Sequence, residues 1–170
     1  MTRFATIVMA SIAVFGIGSP ALLHPAPRLI WNASASVPIG LYAVHPAGAP
    51  QVGELVVVTP PDPLADFLDE RTTCRGGVPL LKRILAIAGQ TVCRTGRAIT
   101  VDGDAMGEAL DRDHLGRPLP VWQGCHRVAD GEAFLMNRQP ADSLDGRYFG
   151  ALPAAAIVGR AEPLWTLTEP

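Results

Sequence analysis

Ser36 and Lys82 together offer acyl-transfer chemistry that needs no histidine. Lys82 is the single lysine against thirteen arginines, and it stands in the apolar run Val78-Pro79-Leu80-Leu81-Lys82-Arg83-Ile84-Leu85-Ala86-Ile87-Ala88. A guanidinium stays charged at any usable pH, whereas a desolvated ammonium can release its proton and become a general base. The competing reading is a lysine whose stem follows an apolar strand while its head reaches water. Ser36 lies in Ser36-Val37-Pro38-Ile39-Gly40, where proline fixes the turn that carries the hydroxyl. A serine hydroxyl is a weak nucleophile until a neighbour takes its proton, and a neutral amine held about 3 Å away does so. Bringing a lysine from about 10.4 to about 7 or 8 requires roughly 3 to 5 kcal/mol of environmental bias. The apolar flanks of Lys82 are the expected source. The oxyanion of such a reaction needs preorganised donors, and the Ser34 hydroxyl and the Ser36 backbone N–H are at hand.

Other nucleophile arrangements fit less well. A Ser-His-Asp hydrolase needs a histidine partner, but His24 and His45 stand beside prolines, His114 and His126 fall in polar turn regions, and no G-x-S-x-G elbow occurs. A penicillin-binding enzyme would carry serine three residues before Lys82, where this chain has Pro79. Cys93 and Cys125 flank a turn-rich segment, and a disulfide between them would close a loop of about 33 residues, stabilising the fold by roughly 3 to 4 kcal/mol. Cys74 would then be unpaired. Three free thiols, or a zinc site using these cysteines with His126, are the alternatives, though no C-x-x-C or H-x-x-x-H spacing supports metal. No cofactor signature is present.

The elements that must position these residues follow from composition and patterning. The 170 residues suit one domain with an appendage, and a net charge of -2 gives no electrostatic footprint for nucleic acid. Glycine and proline total 33 residues spread along the chain, which implies short strands separated by turns. From Phe4 to Leu23 there is no charged residue, a stretch of about 30 Å as helix, which reads as a membrane span. Arg3 on its short leading side favours the cytoplasm for that end and the far side of the membrane for the rest. Residues 1–26 are thus expected to be an uncleaved anchor and 27–170 a catalytic domain, because the small-residue site Ala33-Ser34-Ala35 lies too far beyond the apolar run for a cleaved leader. Leu29-Ile30-Trp31 would leave the bilayer as an interfacial patch. A tether also raises the effective concentration of enzyme towards substrates in the same bilayer. Strands are expected at Leu41 to Val44, Glu54 to Thr59, Leu80 to Ala88, Thr91 to Arg94, Ala98 to Val101, Ala133 to Asn137 and Ile157 to Ala161. One helix is expected over Leu64 to Glu70, capped by Asp62, with Pro63 in its first position and Gly76-Gly77 ending the segment.

Three segments spell out a resemblance. Asn32-Ala33-Ser34-Ala35-Ser36-Val37-Pro38-Ile39-Gly40-Leu41-Tyr42, then Leu81-Lys82-Arg83-Ile84 running to Ala88-Gly89-Gln90-Thr91-Val92, then Asn137-Arg138 with Asp142-Ser143-Leu144-Asp145-Gly146-Arg147-Tyr148-Phe149-Gly150, resemble the signature segments of the type I signal peptidases. The likeness is to the TraF-type, conjugative-transfer branch in bacteria and runs from about Pro27 to Trp165. It implies a mainly β, signal-peptidase-like barrel or sheet domain behind one N-terminal transmembrane helix. It also implies Ser36 as nucleophile, Lys82 as general base, and Ser34 with the Ser36 N–H as oxyanion hole. Ser143 would orient the lysine amine, and Asp145 with Arg147 would buttress the site. The expected setting is the bacterial inner membrane with the catalytic domain in the periplasm. The expected partners are a membrane-tethered precursor such as a pro-pilin, the lipid bilayer, and components of a conjugation or secretion apparatus. Two departures stand out: Leu135-Met136 replaces Gly-Asp before the asparagine, and Gly146 replaces a common serine. The alternative function is a non-catalytic, membrane-anchored β domain that assists assembly of such an apparatus.

Overall fold

The computed structural model of the 170-residue chain describes residues 3–23, 28–71, 78–139 and 141–167, with side chains of the first segment described over 3–16. Cys74, His24 and the Gly76-Gly77 break lie outside the described residues.

The chain opens with helix α1, Arg3–Leu23, whose apolar side chains Phe4, Ile7, Met9, Ile12 and Phe15 are all exposed. Among the described residues, no helix is long and apolar enough to cross a membrane. The rest is mainly β. Strands β1 (Leu29–Asn32), β2 (Gly40–Pro46) and β3 (Leu55–Val58) precede helix α2 (Asp62–Asp69). Then come β4 (Leu80–Ile87), β5 (Thr91–Thr95), β6 (Ala98–Val101), β7 (Asp104–Glu108), β8 (Gly124–Arg127) and β9 (Glu132–Leu135). A one-turn helix α3 (Gly146–Phe149), the short β10 (Leu152–Pro153) and the long β11 (Ile157–Thr166) complete it.

Seven strands form one sheet in the order β1-β2-β11-β3-β4-β9-β10, and four form a second in the order β7-β6-β5-β8. β3 is buried at every residue, as expected of the unbroken apolar run Leu55-Val56-Val57-Val58 in the middle of a sheet covered on both faces. Leu55 and Val57 pack with Tyr42, Val44, Leu81 and Ala161, while Val56 and Val58 pack with Ile84, Ala133 and Leu135. A third cluster, including Val92, Ile99, Val101, Phe134 and Met136, joins the small sheet to the large one. Met136 is fully buried there, which accounts for an apolar residue at one of the two departures.

The expected strands all appear, with shifted ends, but β1, β7, β8 and β10 were not expected. β7 has no alternating pattern. It exists because Asp102 (φ 50°) and Gly103 (φ 94°) form a two-residue turn with both central residues left-handed, which returns the chain beside β6 with Val101 opposite Asp104. Helix α2 corrects a capping expectation. Its N-cap is Pro61, with no side-chain cap, and Asp62 is the first helical residue. Leu64 and Leu68 form its buried face.

Candidate active site

Three segments distant in sequence meet where β1 leads into β2. The first is the turn carrying Ser36. Its shape is set by Asn32, a buried side chain whose Nδ2 donates to the carbonyls of Ser34 (2.7 Å), Val37 (3.0 Å) and Pro38 (3.2 Å). Asn32 Oδ1 accepts from the Ser34 N–H at 3.2 Å and from Ser34 Oγ at 3.0 Å. Tyr42 Oη donates to the Pro38 carbonyl at 2.6 Å, closing the far side of the turn. Ser34 Oγ and Ser36 Oγ lie 2.9 Å apart.

The second segment is β4. Its register places Lys82 opposite Val56 of β3. Lys82 is 4% exposed, and its Nζ donates to Ser143 Oγ at 2.6 Å. Burial is the main influence on the amine and pushes its pKa down from 10.5 to about 8; Asp145 and Asp142 oppose that fall and Arg147 adds to it.

The third segment, 137–147, supports both. Asp145 and Arg147 are fully buried and paired through two contacts, Nε to Oδ1 at 3.0 Å and Nη2 to Oδ2 at 2.9 Å. Asp145 Oδ2 also accepts from the Asn137 N–H at 3.0 Å, and Arg147 Nη2 donates to the carbonyls of Asn137 (2.9 Å) and Ser143 (3.3 Å). This is not an exposed ion pair of small consequence. It is a desolvated pair whose remaining polar positions are taken by backbone, which fixes where Ser143 stands. Two more contacts reach it: a buried one from Arg94 of β5, Nη1 to the Arg147 carbonyl at 2.6 Å, and a part-buried one from Trp122, in the segment before β8, Nε1 to the Gly146 carbonyl at 3.1 Å. A Cβ on Gly146 would come within 2.8 Å of the Leu135 carbonyl and of the Phe134 ring, so a serine has no room here, which accounts for the second departure.

Ser34, Ser36 and Lys82 line one cleft of about 430 Å³, walled by Ile30 and Trp31 of β1, by Ala65 and Leu68 of α2, and by Val78 to Leu81. No hydrogen bond joins Lys82 Nζ to Ser36 Oγ among the described residues: the amine faces Ser143 and the hydroxyl faces Ser34. Away from the cleft, Cys93 and Cys125 are disulfide-bonded across the paired strands β5 and β8. His45 contacts Glu162 and His126 contacts Glu132, neither at the cleft. Among the described residues, no group of three or more His, Cys, Asp or Glu side chains could hold a metal ion.

Reading the sequence missed the two side chains that tie these segments together. Asn32 is one. Asn137 is the other: its Nδ2 donates to the carbonyls of Ser36 (2.9 Å) and Leu81 (3.1 Å), and its Oδ1 accepts from the Arg83 N–H at 2.9 Å. One amide thus fastens the backbone of Ser36 to both neighbours of Lys82. The signal was available, because the chain has only these two asparagines and both fall in the signature segments.

Known proteins share much of this chain's sequence. The family model described as "Signal peptidase, peptidase S26" matches residues 1–165. A probable conjugal transfer protein TraF of Sinorhizobium fredii is 34% identical over 146 residues, covering 79% of this chain and 76% of that protein. A conjugal transfer protein TraF of Agrobacterium fabrum is 35% identical over 147 residues, covering 79% and 81%. A plasmid transfer protein TraF of Escherichia coli is 28% identical over 180 residues, covering 98% and 99%. Among solved structures, a signal peptidase I from Enterococcus faecalis aligns at 19% identity and a TM-score of 0.40, covering 71% of this chain and 98% of that one. With a family match that takes in all three site segments, the chain belongs to the signal peptidases of the peptidase S26 family.

Proposed function

We propose that this chain is a membrane-anchored serine endopeptidase that removes leader segments from membrane-inserted or exported precursors, with Ser36 as nucleophile and Lys82 as general base. The observation that carries the reading is Lys82: a buried amine with its pKa lowered to about 8, held by Ser143, in the same cleft as Ser36. In the reaction, the Ser36 hydroxyl turns from Ser34 towards Lys82, which takes its proton as Oγ attacks the scissile carbonyl. The Ser36 N–H and the Ser34 hydroxyl stabilise the oxyanion. Collapse of the tetrahedral intermediate breaks the C–N bond, Lys82 returns the proton to the departing amine, and an ester remains on Ser36. Water, deprotonated by Lys82, hydrolyses the ester and restores the hydroxyl.

The conjugal-transfer relatives support a place in bacterial conjugative transfer, and a precursor of the pro-pilin kind is the substrate we propose there. The anchor, the inner-membrane setting and the periplasmic catalytic domain of residues 27–170 rest on the uncharged run 4–23 and on the exposed apolar side chains of α1. Trp31 and Trp165, stacked with centroids 5.8 Å apart and both about half exposed, add amphipathic rings of the type that favour a membrane interface.

The test is cleavage of a membrane-inserted pro-pilin by wild type and by the Ser36→Ala, Lys82→Ala and Lys82→Arg variants. Only wild type is expected to cleave. An active Lys82→Arg variant would eliminate proton abstraction by the lysine, and full complementation of transfer by Ser36→Ala would leave the assembly-factor alternative standing.

A further inference from the structure

The hydrogen positions around Ser36 follow from counting donors and acceptors. Asn32 Nδ2 faces three carbonyls, which fixes the orientation of the amide and leaves Oδ1, an acceptor only, towards Ser34. The Ser34 hydroxyl has one proton, and at 3.0 Å from Oδ1 that proton goes to Asn32. The 2.9 Å contact between Ser34 Oγ and Ser36 Oγ is then donated by Ser36. The nucleophile's own proton therefore points at Ser34, and the Ser34 proton is held by Asn32. Lys82 Nζ meanwhile donates to Ser143.

We propose that Asn32 is a positioning residue that acts through Ser34: it fixes the Ser34 rotamer beside Ser36 and holds the Ser34 proton until the developing oxyanion of the substrate takes it. This rests on the acyl-transfer reading above. No bond is made or broken in the switch. The Ser34 O–H exchanges the amide oxygen of Asn32 for the substrate oxyanion, a stronger acceptor because it is charged. Asn32 is suited to the task because the same amide folds the turn from Ser34 to Pro38, so the donor is aimed before substrate arrives.

The experiment is a double-mutant cycle on kcat and KM for pro-pilin cleavage, using Asn32→Ala, Ser34→Ala and the double variant. Rates are expressed per folded molecule, with the folded fraction read from thermal melts. Wild-type cleavage abolished by Ser36→Ala is the control for the catalytic reading; if that control fails, the catalytic reading falls rather than the role of Asn32. Asn32→Ala is expected to lower kcat about ten- to hundredfold with KM changed less than about twofold, in line with a misplaced oxyanion donor. In the Ser34→Ala background the same substitution is expected to cost less than about threefold, since its target is gone. An equal loss in both backgrounds, an undiminished kcat per folded molecule, or a loss carried by KM alone would overturn the proposal. If Asn32→Ala does not fold, Asn32→Asp takes its place: it keeps an acceptor towards Ser34 and loses the donors to the carbonyls of Ser34, Val37 and Pro38, so kcat per folded molecule is expected within about threefold of wild type, and a larger loss would overturn the proposal. Unfolding of both would assign Asn32 to the fold and equally overturn it.

Discussion

Replacing Lys82 by methionine should make the protein inactive and more stable. A buried ammonium held down from 10.5 to about 8 disfavours the native state at pH 7, where the unfolded chain keeps the lysine charged at no cost. The difference corresponds to about 3 kcal/mol. Methionine is close in length and apolar, so it removes that penalty but leaves Ser143 Oγ, in a residue only 5% exposed, without the amine; that loss is about 1 kcal/mol. The net gain at pH 7 is then about 2 kcal/mol, or roughly 4 to 8 °C in Tm for a domain of this size. The sign of the pH dependence is fixed. Between pH about 8 and 10.5 the unfolded state binds more protons than the native state, so wild-type stability rises with pH across that window while the Lys82→Met variant lacks this contribution. Urea melts of both proteins at pH 7 and pH 10 measure it: the advantage of Lys82→Met should be largest at pH 7 and nearly gone at pH 10. A variant no more stable than wild type at pH 7, or a gap unchanged between the two pH values, would show that burial does not neutralise this amine and would remove the physical basis for a general base.

The same ionisation should appear in catalysis as a rise in kcat/KM through pH about 8, and a profile flat from pH 6 to 10 would contradict it. Asp145→Ala leaves the Arg147 guanidinium buried without its carboxylate, so it should cost about 3 to 5 kcal/mol in urea unfolding; a loss under about 1 kcal/mol would mean that the pair is dispensable. Removing the disulfide with Cys93→Ala and Cys125→Ala should lower stability by about 3 to 4 kcal/mol and leave kcat per folded molecule unchanged, because the bridge joins β5 and β8 away from the cleft.

Local rules reached the site further than they reached the fold around it. Lys82 was legible because a lone lysine in an apolar run has few explanations, although its burial draws on distant sequence, with β3 beside it and Ser143 on its amine. Asn32 and Asn137 carried the same kind of signal, scarcity, but an asparagine beside serine reads first as a turn former. Only the tertiary structure shows that Asn137 reaches 101 residues back to the Ser36 carbonyl. β8 and β10 were invisible for another reason. Gly124 to Arg127 is exposed throughout and β10 is two residues long, so neither offers an alternating pattern, and both are strands because a neighbour pairs with them. The expected cap at Asp62 failed by one residue, since a proline on each side of Asp62 allows either reading until the backbone is known.

The strand order also says what holds the large sheet together. β11, the last strand among the described residues, lies between β2 and β3. Its two neighbours belong to the hairpin leading out of the Ser36 turn and to the strand pair bearing Lys82. β11 is therefore the seam that closes the large sheet across these two parts. A chain cut short before Ile157 would leave β2 and β3 each with an unpaired edge, and the large sheet would stay in two parts.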